Sequence, residues 1–159
     1  MRDELVFQSE LVKDARALGG YGIKLNNKFK VGVPDLLLKV PGVPSALVEC
    51  KRIKQWPKKT NSPVTLDLTP IQERSLREYA LAGGLSLIAI DLPNQPGMRN
   101  MVMLRVFPDP ITLPLKLSPH ALGLLQLQRP VAQIWDLPTI MSLAKAVSST
   151  TPESHDLIS

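Results

Sequence analysis

The sequence predicts a single α/β domain with a mixed central sheet flanked by helices. Three observations carry that expectation. First, 159 residues with 44% hydrophobic content suffice for one core and are too few for two ordinary domains. Second, two stretches with helical spacing, at 3–20 and 69–84, bracket short apolar runs of strand character. Third, two of those runs are joined only by "PGVPS", which makes them antiparallel neighbours, whereas the run at 85–92 follows a whole helix and is reached by a crossover.

Taken in order, "DELVFQSELVKDARALGG" (3–20) is the first helix. Asp3 is placed to cap it, Leu11, Ala15 and Leu18 share a stripe, and Gly19-Gly20 stops it. "YGIKLNN" follows as a first strand, then "PDLLLKV" (34–40) and "ALVECKR" (46–52) as the hairpin pair. "IKQWPKKTNSPV", polar and basic with two prolines, reads as a mobile loop. "LTPIQERSLREYALAGG" is the second helix, with Thr69 as N-cap, Pro70 at its first position and Gly83-Gly84 at its end. "LSLIAIDL" (85–92) has the continuous apolar character of a buried strand, and "MVMLRVF" is expected to add an edge strand. Beyond Phe107 prolines recur at 108, 110, 114, 119, 130 and 138, and Asp136 is placed to cap a late helix. The expected organisation is a core over 1–107, a proline-rich C-terminal extension over 108–147 that packs on the core or forms a dimer contact, and a disordered tail over 148–159.

The net charge of +5 permits a polyanionic partner, and its distribution is more telling. Residues 24–59 hold nine basic side chains against two acidic ones, Asp35 and Glu49, whereas residues 100–159 balance four against four. A single cysteine excludes an internal disulfide, and neither a signal peptide nor an apolar run of bilayer length is visible. The expected location is the cytoplasm of a bacterial or phage-infected cell, with no membrane partner.

The two acids sit at the ends of otherwise apolar strands. Alternation sends Glu49 and Lys51 to one face of their strand and Val48 and Cys50 to the other, so one face is chemical and one is core. If the hairpin pairs in its obvious register, Asp35 approaches Glu49. Two adjacent carboxylates repel unless a cation lies between them, and hard oxygen ligands with room for water suit Mg²⁺, with Mn²⁺ as a substitute. Lys51 then stands ready to hold an attacking water or the developing charge of a phosphate. This is a metal-assisted hydrolase in outline, set in a basic field that would attract a phosphate backbone.

"PD" at 34–35, followed by "ECK" at 49–51, resembles the PD-(D/E)xK nuclease superfamily. "SELVKDARALGG…GVPDLLL…ALVECKR" is similar to archaeal-type Holliday-junction resolvases and virus-type replication-repair nucleases, over residues 4–92. The resemblance implies a restriction-endonuclease-like αβββαβ core and a Mg-dependent deoxyribonuclease, an endonuclease selective for branched DNA and acting as a homodimer. It implies that Asp35 and Glu49 bind metal together with the Cys50 carbonyl, and that Lys51 orients water or stabilises charge. A helix glutamate completes the set in the resolvase branch. Glu10 occupies that place, with Glu4 as the alternative if the helix aligns differently.

Gln72 has two readings. It completes a capping box with Thr69, and it also shares the inward stripe of Leu76, Tyr79 and Ala80, where related nucleases place a glutamine near the metal. Lys54, Trp56, Lys58 and Lys59 form either a solvated loop or a segment that stacks on DNA and neutralises phosphate; Lys28, Lys30 and Arg52 extend the same basic field. Cys50 is expected as a core residue rather than a nucleophile, and His120 and His155 as neither ligands nor catalysts. The alternative to a nuclease is a non-catalytic DNA-binding module on the same scaffold, which would gain nothing from carboxylates aimed at a polyanion.

Overall fold

The computed structural model describes residues 4–25, 32–59, 62–93, 100–128 and 135–148. Helix α1 spans Glu4–Ala17, β1 Tyr21–Lys24, β2 Leu36–Lys39, β3 Ala46–Arg52 and β4 Val64–Leu66. Helix α2 spans Pro70–Leu81, followed by β5 Leu85–Asp91, β6 Asn100–Val106, β7 Leu115–Leu117, α3 Pro119–Leu124, β8 Leu127–Gln128 and α4 Leu137–Met141.

Strand β3 organises these elements. The six-residue link from β2 permits only an antiparallel partner, and Leu36 faces Val48 in the resulting register. The crossover through α2 brings β5 alongside β3 in parallel, from Ala46 opposite Leu85 to Arg52 opposite Asp91. The sheet order is β1-β2-β3-β5-β6-β8, mixed as expected, and β4 pairs with β7 in a separate two-stranded ribbon. Alternation along β3 and β5 then sorts two apolar layers. Val48, Cys50, Leu87 and Ala89 pack against Phe7, Leu11, Val12 and Ala15 of α1. Ile88 and Ile90 lie on the opposite face with Leu76 of α2 and with Val102 and Leu104 of β6.

The caps explain where the helices stop and start. Thr69 precedes Pro70 at the start of α2, and Gly83 follows its end at φ +97, a backbone conformation glycine adopts without strain. At Gly20 a Cβ would meet the Lys39 carbonyl at 2.2 Å and that of Ala15 at 2.8 Å, so the turn from α1 into β1 needs the missing side chain.

Several expectations change. The segment expected as an edge strand, β6, lies between β5 and β8, and its residues Met101–Leu104 are buried; the edge passes to the two-residue β8. The loop after β3 does end in a strand, because Val64 and Leu66 find buried partners in Leu117 and Leu115 of β7. Asp136 caps α4 through the Thr139 N–H at 2.8 Å, but the helix ends at Met141. The described part of the C-terminal third packs on the rest of the chain. Trp135 and Ile140 join the α1 layer, Leu115, Leu117 and Leu122 join the α2 layer, and buried Glu73 accepts the Ile111 N–H at 3.3 Å while holding Arg77 at 2.8 Å. Asp3, Lys28, Lys30, His155 and the tail from residue 149 lie outside the described residues. Among the described residues no helix is long and apolar enough to cross a membrane.

Candidate active site

The site forms where β2 begins and β3 nears its end. Asp35 precedes β2 by one residue, directly ahead of the Leu36–Val48 pair, so it stands across from Glu49. It is held at two points: its Oδ2 accepts the Cys50 N–H at 2.8 Å and its carbonyl accepts the Leu25 N–H at 2.8 Å. Glu49 is 2% exposed and Lys51 8%. Lys51 Nζ lies 3.3 Å from Glu49 Oε2 and donates to Gln72 Oε1 at 3.1 Å and to the Asp67 carbonyl. Gln72 Oε1 also accepts the Thr69 N–H at 3.0 Å, and Thr69 Oγ1 accepts the Gln72 N–H at 3.2 Å. One oxygen atom thus serves the capping box and also accepts from Lys51, so the cap fixes the amide that holds Lys51.

Burial pushes the Glu49 carboxyl up to about 8, with the neighbouring charge of Asp35 adding to the rise and Lys51 opposing it. The two carboxyls are within hydrogen-bonding reach of each other. Glu49 Oε1 is buried and has no hydrogen-bond partner, a position that costs free energy unless something else fills it. Below the shifted value a proton does so. Above it, two negative charges meet in a poorly solvated place, and a cation is the group that relieves them.

The donor set fits a hard divalent cation of the Mg²⁺ kind. Two carboxylates that supply only part of an octahedral shell, with backbone oxygen and water for the rest, match a cation that keeps several waters. Among the described residues no group of three His, Cys, Asp or Glu side chains is close enough to enclose a metal, so these side chains do not form a closed cage.

Of the two α1 glutamates, Glu4 is the one that feels the charges of Asp35 and Lys51. Burial raises the Glu4 carboxyl, Asp35 and Asp67 raise it further, and Lys51 opposes them, so Glu4 shares with Glu49 the charges of Asp35 and Lys51. Six residues at about 100° each place Glu10 roughly 120° away around α1. A signal for Glu4 was present, because it continues the stripe of Leu11, Ala15 and Leu18 toward the N-terminus. Asp67 was missed, and its contribution through a backbone carbonyl leaves no mark in residue type.

Of the other expected residues, Cys50 turns its fully buried side chain into the α1 layer, while its backbone N–H borders Asp35. Arg52 is half-buried at the end of β3, and Lys54, Trp56, Lys58 and Lys59 follow it exposed, Trp56 at 38%. His120 is exposed on α3.

One helix, three strands, a second helix and β5, assembled on a mixed sheet with the short strand β4 inserted before α2, make the αβββαβ core of the restriction-endonuclease-like fold. A solved structure shares it: Archaeoglobus fulgidus Hjc, described as a Holliday junction resolvase from an archaeal hyperthermophile, superposes with a TM-score of 0.52 at 16% identity, covering 80% of this chain and 96% of that one. No protein-family model matches the sequence, and no curated protein matches it either.

Proposed function

We propose that this chain is a metal-dependent DNA endonuclease of the PD-(D/E)xK type. The observation that carries the reading is the contact of two carboxyls, Asp35 and Glu49, one of them with an unpartnered buried oxygen, beside a lysine held in place by Gln72 and the Asp67 carbonyl. Asp35, Glu49 and the Cys50 carbonyl would hold Mg²⁺ or Mn²⁺, with Glu4 adding a charge nearby without joining them around the ion. Bound there, the cation supplies positive charge that offsets the carboxylates and polarises a phosphate.

The chain's own residues do the rest. Lys51 places a buried positive charge next to Glu49, where it can hold the attacking water or the charge that develops on phosphate oxygen. Gln72 and the Asp67 carbonyl limit where that ammonium can go, so its orientation is set before substrate arrives. The exposed Lys54, Lys58 and Lys59 offer charge to the DNA backbone, and Trp56 offers a stacking face.

Selectivity for branched DNA is the finer part of the proposal. Its support is the shared fold with a protein described as a Holliday junction resolvase. Symmetric cutting of a four-way junction needs two sites related by a two-fold axis, and one acidic set per chain then calls for a homodimer. Matched junction, flap and linear duplex, each assayed with Mg²⁺ and with EDTA alongside light scattering, test both levels. Metal-dependent junction cleavage by a dimer is expected. A monomer cutting all three equally would remove the resolvase branch, and binding without cleavage in any metal would leave only a DNA-binding module.

A further inference from the structure

Helix α1 and the edge strand β1 enclose an open groove lined by Ser9, Val12, Lys13, Arg16, Ile23 and Lys24. Two of its three cations are anchored by neutral oxygen. Lys24 Nζ donates to Ser9 Oγ at 2.7 Å and to the Leu5 carbonyl at 3.4 Å, and Arg16 Nη2 donates to the Gly22 carbonyl at 3.0 Å. These bonds hold the charges in position without neutralising them. The acids of α1 do not offset them from within the groove: by helical phase Ser9, Lys13 and Arg16 share one flank, whereas Glu10 and Asp14 lie on the other.

The groove also has a direction. Its Lys24 end adjoins the site, since Lys24 pairs with Leu36, next to Asp35, and reaches the carbonyl of the residue after Glu4. Its Arg16 end lies eleven residues along α1 from Leu5, roughly 16 Å at 1.5 Å per residue. At 3.4 Å per nucleotide that length spans about five base pairs.

Resting on the nuclease reading above, we propose that this groove is a phosphate-backbone track, along which Lys24, Lys13 and Arg16 guide the duplex arm leading away from the Asp35–Glu49 site. It is a surface separate from the basic loop that follows β3. Two cations preset and unneutralised, with a third beside them, in an open channel that starts at the reacting end, match a regularly spaced polyanion better than a compact acidic ligand.

The test is a triple variant, Lys13→Gln, Arg16→Gln and Lys24→Gln. It deletes charge while keeping polar side chains at all three positions. Anisotropy titrations in EDTA, over a range of salt, compare branched DNA carrying hairpin-capped arms of about 4 or about 15 base pairs, lengths chosen from the 3.4 Å rise. On the long arm the slope of log affinity against log salt should shrink by two to three units at about 0.9 per phosphate, with binding roughly tenfold weaker or more at 0.15 M salt. On the short arm, whose roughly 14 Å reach Lys24 and Lys13 but stop short of Arg16, the slope should shrink by about one unit less than on the long arm. Should the triple variant not fold, exposed Arg16→Gln alone is read the same way, with about one unit of slope expected on the long arm.

Unchanged slopes on both arms, in a wild type that does bind and cut DNA, would overturn the track and point to another partner, such as an acidic protein segment, while the nuclease reading stands. Equal losses on both arms would also overturn it, since the cations would then act at the site itself. A wild type that neither binds nor cuts DNA removes the nuclease reading, and the track with it.

Discussion

A carboxyl that is 2% exposed and touches a second carboxyl needs a proton or a cation, and strand alternation places Glu49 in that position. Asp35, Glu49 and Lys51 were legible because a period of two and a tight hairpin suffice to bring such residues together. The helix partner was less so. Glu10 stood out by its closeness in sequence to the "LVKDARALGG" run, whereas the property that matters is phase on the helix, which favours Glu4. Glu4→Gln should therefore lower the cleavage rate by roughly 10²-fold, the cost typical of losing a charge-placing group, and Glu10→Gln should leave it within about threefold. Initial rates of both purified variants at saturating Mg²⁺ check this, and the reverse order would return the role to Glu10.

At the scale of elements, α2 does two jobs through its first turn. Thr69→Ala removes the cap and should cost about 1 kcal/mol in urea unfolding, with an unchanged dependence on denaturant. It also frees the Gln72 amide, so cleavage should fall by more than the stability loss accounts for. Gln72→Ala separates the roles further: a small loss of stability with a larger loss of rate, because Lys51 loses an acceptor. Equal rates in wild type and Gln72→Ala would mean that the amide serves the cap alone. The helices, the hairpin and the parallel β5 were readable from capping residues, stripe spacing and connection lengths. The ribbon of β4 and β7 was not, since three-residue strands carry too little periodicity and their pairing joins residues some fifty positions apart. The interior place of β6 was hidden for the same reason: whether a strand is an edge depends on what pairs beyond it, here Leu127 and Gln128 at one end and an isolated bridge from Arg105 to Lys145 at the other.

At the scale of the whole molecule, the site works against stability in the absence of metal. The Glu49 carboxyl moves from an ordinary 4.5 to about 8 on folding, so the folded chain binds the proton more tightly than the unfolded one. Its stabilising effect is fully present below pH 4.5 and is lost as pH rises through 8, by an amount on the order of a few kcal/mol. In EDTA, wild type should thus lose melting temperature relative to Glu49→Gln between pH 5 and pH 8.5. Added Mg²⁺ should restore more of it at the higher pH, where the carboxylates are free to bind. Parallel pH profiles for the two proteins would contradict the buried-carboxyl account. The central claim is chemical, and one measurement reaches it most directly: cleavage of DNA by wild type, Glu49→Gln and Lys51→Ala, with and without Mg²⁺, at matched DNA occupancy. Cleavage by wild type only when metal is present is predicted, with a loss of roughly 10²-fold or more in both variants while DNA binding survives. Near-wild-type cleavage by either folded variant, or cleavage undiminished in EDTA, would contradict it.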